Sequence, residues 1–431
     1  MDRSTTEPGD PGPGTRSGGA ASGDDGRSGS GGSASRLALV LVFLTVFIDL
    51  VGFGIVLPLI PFYATDLGAG PTVVGLIIGS FSAMQFALAP VWGRLSDRVG
   101  RRPVLVVGLF GSGLSYVVFG LAETVGVLLL SRVIAGAMGA NIPVAQAYIA
   151  DTTTEEGRAR GMGLVGAAFG LGFIAGPAIG GVLSQWGYGV PGFFAAGLSL
   201  VAAGVALFAL PESLPPELRT ESGREAGAAA ALRALVRRVR QLREAVSRAE
   251  LRDPIGAFFV GTLGFAAFTT TFPLLLEGPL EMSSVDAGWY FAYLGLVSAT
   301  VQGGLIGPTV DRLGERRVAL GGAAVMAAGL AGLAWAGGTA SLLAALAVVG
   351  VGFGYMTPSL QSLISRRAGE GAQGGVLGLN QSAGSLARVL GPAAGGWAFG
   401  ALGHRWEFLA TAGVLAAAAA WIARIAPAPE G

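Results

Sequence analysis

Apolar residues run along this chain in long, nearly unbroken stretches, without the strict alternation that marks strands. The stretches fall at about 37 to 63, 71 to 93, 103 to 122, 125 to 150, 160 to 184 and 189 to 210. After a polar insert, six more follow at about 254 to 277, 286 to 309, 317 to 336, 340 to 366, 373 to 399 and 405 to 425. At 1.5 Å rise per residue each is long enough to cross ~30 Å of hydrocarbon. The pattern predicts an all-α membrane protein of twelve transmembrane helices, arranged as two six-helix bundles.

The polar stretches divide the chain. Residues 1–35 are rich in Gly, Ser, Pro, Thr, Asp and Arg and have no apolar run, so a disordered tail is expected; without an apolar core it is not a signal peptide. Residues 36–210 form the first bundle and 254–426 the second. The linker 211–253 closes with Leu235, Val236, Val239, Leu242 and Val246 at helical spacing among arginines. That is a basic amphipathic helix, either lying on anionic headgroups or serving as a solvated tether.

Composition agrees: 52% of residues are hydrophobic and 13% charged, with a mean hydropathy of +0.62. The net charge of +1 says less than where the charges lie. If the N-terminus is placed in the cytoplasm, 25 of the 28 arginines fall in cytoplasmic segments, which predicts that both termini lie inside. There are no cysteines, so disulfides and thiolate chemistry are out. A single histidine, His404 at a helix edge, argues against a histidine metal cluster or a Ser-His-Asp triad. With no lysine in the chain there is no phosphate-binding Gly-x-x-x-x-Gly-Lys loop for an ATP-driven pump. An enzyme is not expected, nor a cofactor, a metal or a nucleic-acid partner.

One loop is repeated. Gly93, Asp97, Arg98, Gly100, Arg102 and Pro103 return as Gly307, Asp311, Arg312, Gly314, Arg316 and Arg317, at an offset of 214 with the last as the mismatch. The chain is two versions of one unit. A second pattern lies in the fifth stretch: Gly163, Gly172, Gly176-Pro177 and Gly180-Gly181. Glycines three or four apart line a helix face and let another backbone approach, while Pro177 bends the helix. The eleventh stretch keeps Gly378, Gly391-Pro392 and Gly395-Gly396 at an offset of 215, with Ala387 in place of Gly172. Charges inside the apolar stretches are few. Asp49 lies about twelve residues into the first helix, where an ionised carboxylate costs at least ~2.5 kcal/mol. Its repeat position is Leu263. Arg132 and Arg388 fall within the fourth and eleventh helices.

These motifs resemble the Major Facilitator Superfamily, specifically its twelve-helix drug:proton antiporter branch, which includes the tetracycline efflux pumps. The resemblance covers Leu37 to Arg424. The glycine pattern of the fifth helix is similar to the family's antiporter signature at every fixed position, and Gly52, Gly54, Pro58 and Pro61 resemble the first helix of the tetracycline-pump branch. The resemblance implies two bundles that rock about a central cavity, and a proton gradient as the energy source.

It also implies residue roles. Asp49 is the expected proton-coupling acid, taking up a proton from whichever side the cavity faces; the alternative is a permanent ion pair. Arg132, four residues before Gly136, resembles the family's fourth-helix motif and is expected to tune a carboxylate, since arginine does not itself deprotonate. Arg388 is expected to serve Asp49 or an anionic substrate group. A structural bond to backbone carbonyls is the alternative for both arginines. Gly93, Asp97, Arg98, Gly100, Arg101 and Arg102 resemble a cytoplasmic gate in which Asp97 faces the N-terminus of the eleventh helix, near Gly371, Gly374 and Gly375. Asp311, beside Arg312, would do the same to the fifth helix near Gly161 and Gly163. Asp151, with Arg158 and Arg160, is expected to join the gate as an ion-pair cluster. The alternatives are that the loop arginines only set topology and that Asp151 is an ordinary helix-terminal acid at the interface.

Phe53, Asn141, Gln146, Phe268, Thr269, Tyr293, Gln302, Tyr355, Gln361, Asn380 and Gln381 are the candidate cavity lining. Aromatic faces and neutral hydrogen-bonding groups suit a partly apolar, drug-sized molecule, although each polar residue also has a packing alternative. The functional expectation is efflux of such molecules, tetracycline-type antibiotics among them, in exchange for protons, by a monomer in the cell membrane. The alternatives are export of an endogenous metabolite or sugar, and a non-transporting membrane sensor of the same fold.

Overall fold

In the computed structural model, the described residues are 30–139, 141–219, 236, 240, 249–368 and 373–425. They form twelve helical rods. α1 is Ser30–Val56, continued through a 3-10 turn Leu57–Leu59 into Ile60–Asp66. α2 is Pro71–Val99, α3 Arg101–Gly120, and α4 the pair Val125–Met138 and Asn141–Thr152. α5 is Glu155–Leu183 and α6 Gly189–Phe208. α7 is Ala249–Glu277, and α8 is Ser284–Thr300, a π-helical Val301–Leu305 and Ile306–Leu313. α9 is Glu315–Leu333, α10 Thr339–Arg367, α11 Gln373–Leu402 and α12 His404–Arg424. Ten of the twelve rods are long and apolar enough to cross a membrane; α8 and α11 fall outside that set. Residues 1–29 of the tail expected to be disordered, nearly all of the linker helix, and Gly371 lie outside the described residues, while residues 30–35 of that expected tail belong to α1.

Local chemistry sets the rod ends. Thr124 caps α4 by accepting from the Val127 N–H, and Ser283 with Asp286 forms a capping box on α8. The turns from α2 to α3 and from α8 to α9 pass through Gly100 (φ 108°) and Gly314 (φ 77°), the left-handed region in which glycine carries no Cβ penalty.

Apolar packing splits by halves. Two clusters fill the first half, one around Val42, Leu105 and Tyr148 and the other around Ile55, Ile77 and Phe119. A third fills the second half around Phe268, Leu346 and Phe408. Among the described residues the halves share core side chains at one end: Phe62 of α1 sits in the second half's core, and Leu274 of α7 in the first half's. This outer end lies opposite the face that carries the chain termini. Five exposed tryptophans ring it, Trp186, Trp289, Trp335, Trp397 and Trp406, as amphipathic indoles do at a membrane boundary.

Candidate functional site: a buried acid, glycine seams and a charged face

α4 is broken at Gly139, where one continuous helix was expected. Pro143 has no N–H to give the Gly139 carbonyl four residues back. The Gln85 amide donates to that carbonyl instead, at 2.9 Å, and the Trp92 indole N–H donates to Ala137 O at 2.6 Å, both from α2. The break brings Asn141 to the start of a new helical segment, close to the Asp49 carboxylate, which also has Ser112 of α3 beside it. Asn141 is 3% exposed, and among the described residues neither amide atom has a hydrogen-bond partner. Gly108 of α3 makes the room: a Cβ there would collide with Asn141 Oδ1.

Tyr116 touches both the Gly52 turn of α1, next to Asp49, and Arg132. Its ring lies over Gly52, where an added Cβ would be 3.2 Å from Tyr116 Cε2 and 3.5 Å from the hydroxyl. Gly52 is one turn beyond Asp49. The Arg132 guanidinium lies 5.7 Å from the Tyr116 ring centroid and 5.1 Å from that of Phe119, a cation–π arrangement. Arg132 is 2% exposed; its Nε–H donates to Ser131 Oγ at 3.2 Å and Nη2 has no partner.

The glycine motif joins α5 to two neighbours. A Cβ on Gly172 would lie 2.9 Å from Leu50 Cβ, one on Gly176 would lie 2.7 Å from Gly54 Cα, and one on Gly180 would run into Ile55 O. α5 therefore packs on the segment of α1 immediately after Asp49. Gly181 turns to the other half, where a Cβ would be 3.0 Å from Gly288 Cα of α8. Pro177 frees the Phe173 carbonyl, and Gly295 of α8 faces it, 2.9 Å from an added Cβ. The repeat does the same on the other side. Gly391 and Gly395 of α11 approach α7 at Leu263 and Ala267, and Gly396 approaches Pro71 and Gly75 of α2. Gly163 is different, with nothing within 4 Å of an added Cβ.

Near the terminal face the described parts of the halves stand apart: among the described residues, Gly93, Gly163, Gly166, Gly303, Gly304, Gly307 and Gly378 all have open space beside them. At the outer end the seam is closed, with Ser184 and Ser284 hydroxyls 2.8 Å apart across it. Tyr188, in the loop between α5 and α6, lies there with Asp66 and Glu277; burial first, then the two carboxylates, hold its phenol above the usual range.

This separation changes the expected gate. Asp97 was expected against α11; in this structure it pairs with Arg101, which also reaches Asp151 at 3.0 Å and Ser96 Oγ at 2.7 Å, all within the first half. Asp151 thus joins an ion-pair cluster, but through Arg101; the Arg158 and Arg160 side chains lie outside the described set. Asp311 and Arg312 are exposed, and among the described residues no hydrogen bond or ion pair engages Asp311. In the second half Glu315 pairs with Arg366 at 2.9 Å. The repeated arginine has one task in both halves. Arg102 donates to the carbonyls of Ala206 and Leu207 at the end of α6, and Arg316 donates to those of Ile422 and Ala423 at the end of α12, a favourable position for a cation.

Glu212, just after α6, escaped the sequence reading. Its carboxylate accepts from the backbone N–H of Arg101 at 2.8 Å and Arg102 at 3.3 Å, the first turn of α3. Glu407 was also missed. It is fully buried in α12, with Thr411 donating to Oε1 at 2.9 Å and no partner on Oε2.

The cavity candidates scatter. Phe53 packs tilted against Phe81, with ring centroids 5.2 Å apart, and edge-on against Phe173 at 6.0 Å. Phe268 was expected to line the cavity but is fully enclosed, between Phe265 and Phe272; the stack at 3.8 Å is formed by Phe265 and Phe353 instead. Tyr355 meets Thr309 at 3.3 Å. Gln302 and Gln381 are exposed, while Gln146, Thr269, Tyr293 and Gln361 are half-buried. Asn380 is 2% exposed with Oδ1 unpaired. Arg388 is half-buried and donates to Ser385 Oγ at 3.1 Å. Among the described residues no group of three or more His, Cys, Asp or Glu side chains could hold a metal ion.

The family model described as the Major Facilitator Superfamily matches residues 42–392 and 303–431. The class E tetracycline resistance protein of Escherichia coli is 34% identical, over 86% of this chain and 89% of its own. Multidrug resistance protein 2 of Bacillus subtilis (strain 168) is 29% identical, over 84% and 89%. Among solved structures, the human organic anion transporter MFSD10 (TETRAN) superposes with a TM-score of 0.68 at 27% identity, covering 90% of this chain and 99% of that one. A bacterial homolog of the human lysosomal transporter Spinster, crystallised inward-facing and unoccupied, shares the fold with a TM-score of 0.71 at 17% identity, covering 92% and 97%. Repeated halves, glycine seams and a run of apolar rods agree with these matches: the chain belongs to the Major Facilitator Superfamily and is a multi-pass membrane transporter.

Proposed function

We propose that this transporter exports partly apolar, drug-like molecules, tetracycline-type antibiotics among them, in exchange for protons moving down their gradient. The observation that carries the reading is the Asp49 site. A carboxylate in the middle of α1 has Asn141 and Ser112 beside it, and no ion pair engages it among the described residues. A permanent ion pair would have fixed its charge; an acid near neutral hydrogen-bonding groups is free to exchange a proton. The tetracycline and multidrug resistance names of the relatives support the cargo class.

In this reading all twelve rods span the membrane, as bundles 36–210 and 254–426 joined by the linker 211–253, and the termini lie in the cytoplasm. The basic terminal face supports that orientation. The separated halves then make this an inward-facing state, and pairing of the α2–α3 loop with α11 belongs to the opposite one. Gly172, Gly176 and Gly180 transmit the change, since they pack α5 on the stretch of α1 next to Asp49. The transporter works as a monomer in lipid, without a cofactor.

The test is proton release from energised inverted vesicles on addition of tetracycline and a panel of lipophilic drugs, with wild type beside Asp49→Asn. A drug-dependent signal in wild type that disappears in Asp49→Asn is expected. A signal that survives removes Asp49 as carrier; silence in folded, inserted protein turns the reading towards an endogenous metabolite or sugar, or a non-transporting sensor.

A further inference from the structure

Asn380, Gly384 and Arg388 follow one another every four residues along α11 and so share one of its faces. Gly384 leaves a notch between the two polar side chains. A Cβ there would lie 3.0 Å from Phe258 Cε1 of α7 and 3.4 Å from Arg388 Nη1, so the guanidinium sits beside that notch, near the Phe258 ring. Arg388 carries five N–H donors. Its hydrogen bond goes to a neutral hydroxyl of its own helix, Ser385 Oγ, and among the described residues no acid pairs with it. Arg388 is half-buried, and a cation held inside a membrane bundle without a counter-ion favours an anionic partner. Asn380 adds a converse vacancy, an Oδ1 at 2% residue exposure that no donor reaches among the described residues.

We infer that the Arg388 face of α11 is an anion subsite for the cargo. The molecule it takes is an aromatic acid: a carboxylate or enolate oxygen pairs with the guanidinium, the ring lies near Phe258, and an N–H or O–H elsewhere on the frame reaches Asn380. Eight residues of helix separate the two anchors by about 12 Å, the span of a drug-sized molecule and not of a single functional group. Phe265 continues the aromatic wall two turns beyond Phe258 on α7, stacked on Phe353 of α10. This assignment rests on the exporter reading and deepens it: Arg388 belongs to the cargo, and Asp49 is left to the proton.

The experiment measures binding of ciprofloxacin, an aromatic carboxylate with an amine N–H, and of its methyl ester to the full chain in nanodiscs at pH 8, with tetraphenylphosphonium, a lipophilic aromatic cation that has no carboxylate, as the control. Wild type is expected to prefer the acid over the ester by about 10-fold or more, the loss typical of removing a charge-assisted hydrogen bond. Arg388→Gln is expected to bring that ratio to about one with ester affinity unchanged, and Arg388→Lys to retain part of it. A merely structural arginine would not move the acid-to-ester ratio. Should Arg388→Gln not fold, the same ratio is read in Arg388→Lys and in Asn380→Leu, which is expected to weaken both probes alike. An acid-to-ester ratio near one in wild type, or one that survives Arg388→Gln, overturns the subsite while binding of the ester and tetraphenylphosphonium leaves the exporter reading standing. Failure of all three probes to bind folded protein overturns both.

Discussion

Gly181 of α5 and Gly288 of α8 touch backbone to backbone across the boundary between the two halves. A Cβ on Gly288 would stand 2.8 Å from Gly181 Cα and 2.5 Å from the carbonyl of Pro177. The closed outer end therefore depends on two absent side chains. Gly288→Val is expected to wedge this seam apart at a cost of about 1–3 kcal/mol, a shift of roughly 5- to 150-fold away from the closed state. The Ser184 and Ser284 hydroxyls one turn away, 2.8 Å apart, supply the measurement. The chain has no cysteine, so a Ser184→Cys, Ser284→Cys pair reports on this seam alone. Oxidative cross-linking should be efficient in the otherwise wild-type background, stop transport until reductant is added, and fall sharply when Gly288→Val is included. Equal cross-linking with and without the valine would show that the seam does not need the glycine.

The rods and the paired turns were legible in the sequence because their signals are local. Apolar run length gives the rods, and Gly100 or Gly314 among arginines gives the turns. Helix phase was harder: Phe265 and Phe268 are three residues apart, and only packing reveals that Phe268 is enclosed while Phe265 stacks on Phe353. The break in α4 had a signal, Pro143 four residues after Gly139, but the donors that make it tolerable, Gln85 and Trp92, come from another helix. Glu212 lies 111 residues from the Arg101 N–H it accepts, and nothing in its neighbourhood announces that. The partner of Asp97 depends on how far the halves are apart, which a one-dimensional pattern does not encode.

Arg132 separates a structural role from a functional one. It is enclosed between Tyr116 and Phe119 with Nη2 unpaired, and a buried cation lacking full compensation is replaced by an apolar side chain of similar length at little cost. Arg132→Met is expected to fold with thermal stability equal to wild type or higher, the lost cation–π contact of about 0.5–2 kcal/mol being offset by the desolvation no longer incurred. Drug-driven proton exchange is expected to fall at least 10-fold, about 1.4 kcal/mol in the barrier. A variant that is markedly less stable yet exchanges at the wild-type rate per folded molecule would make Arg132 a packing residue.

Glu212 gives a prediction at the terminal face. One carboxylate, at the junction of the first half with the linker, accepts four backbone N–H groups: Arg101 and Arg102 at the start of α3, and Ser213 and Leu214 at 3.0 and 3.1 Å in its own turn. The α3 amides have no partner within their own helix, and an anion there also meets the positive end of the helix. The side chain packs so closely that a Cβ on Gly100 would collide with it, which gives that glycine a second reason beyond its φ. Glu212→Ala should leave these donors without their acceptor and cost about 1–3 kcal/mol, read as faster amide hydrogen exchange at Arg101 and Arg102 while α9, on the other half, exchanges as before. Glu212→Gln, which keeps an acceptor oxygen and loses the charge, should fall between the two. If Arg101 and Arg102 exchange at wild-type rates in Glu212→Ala, the linker does not hold the α2–α3 turn, and the Asp97, Arg101 and Asp151 cluster stands on its own ion pairs.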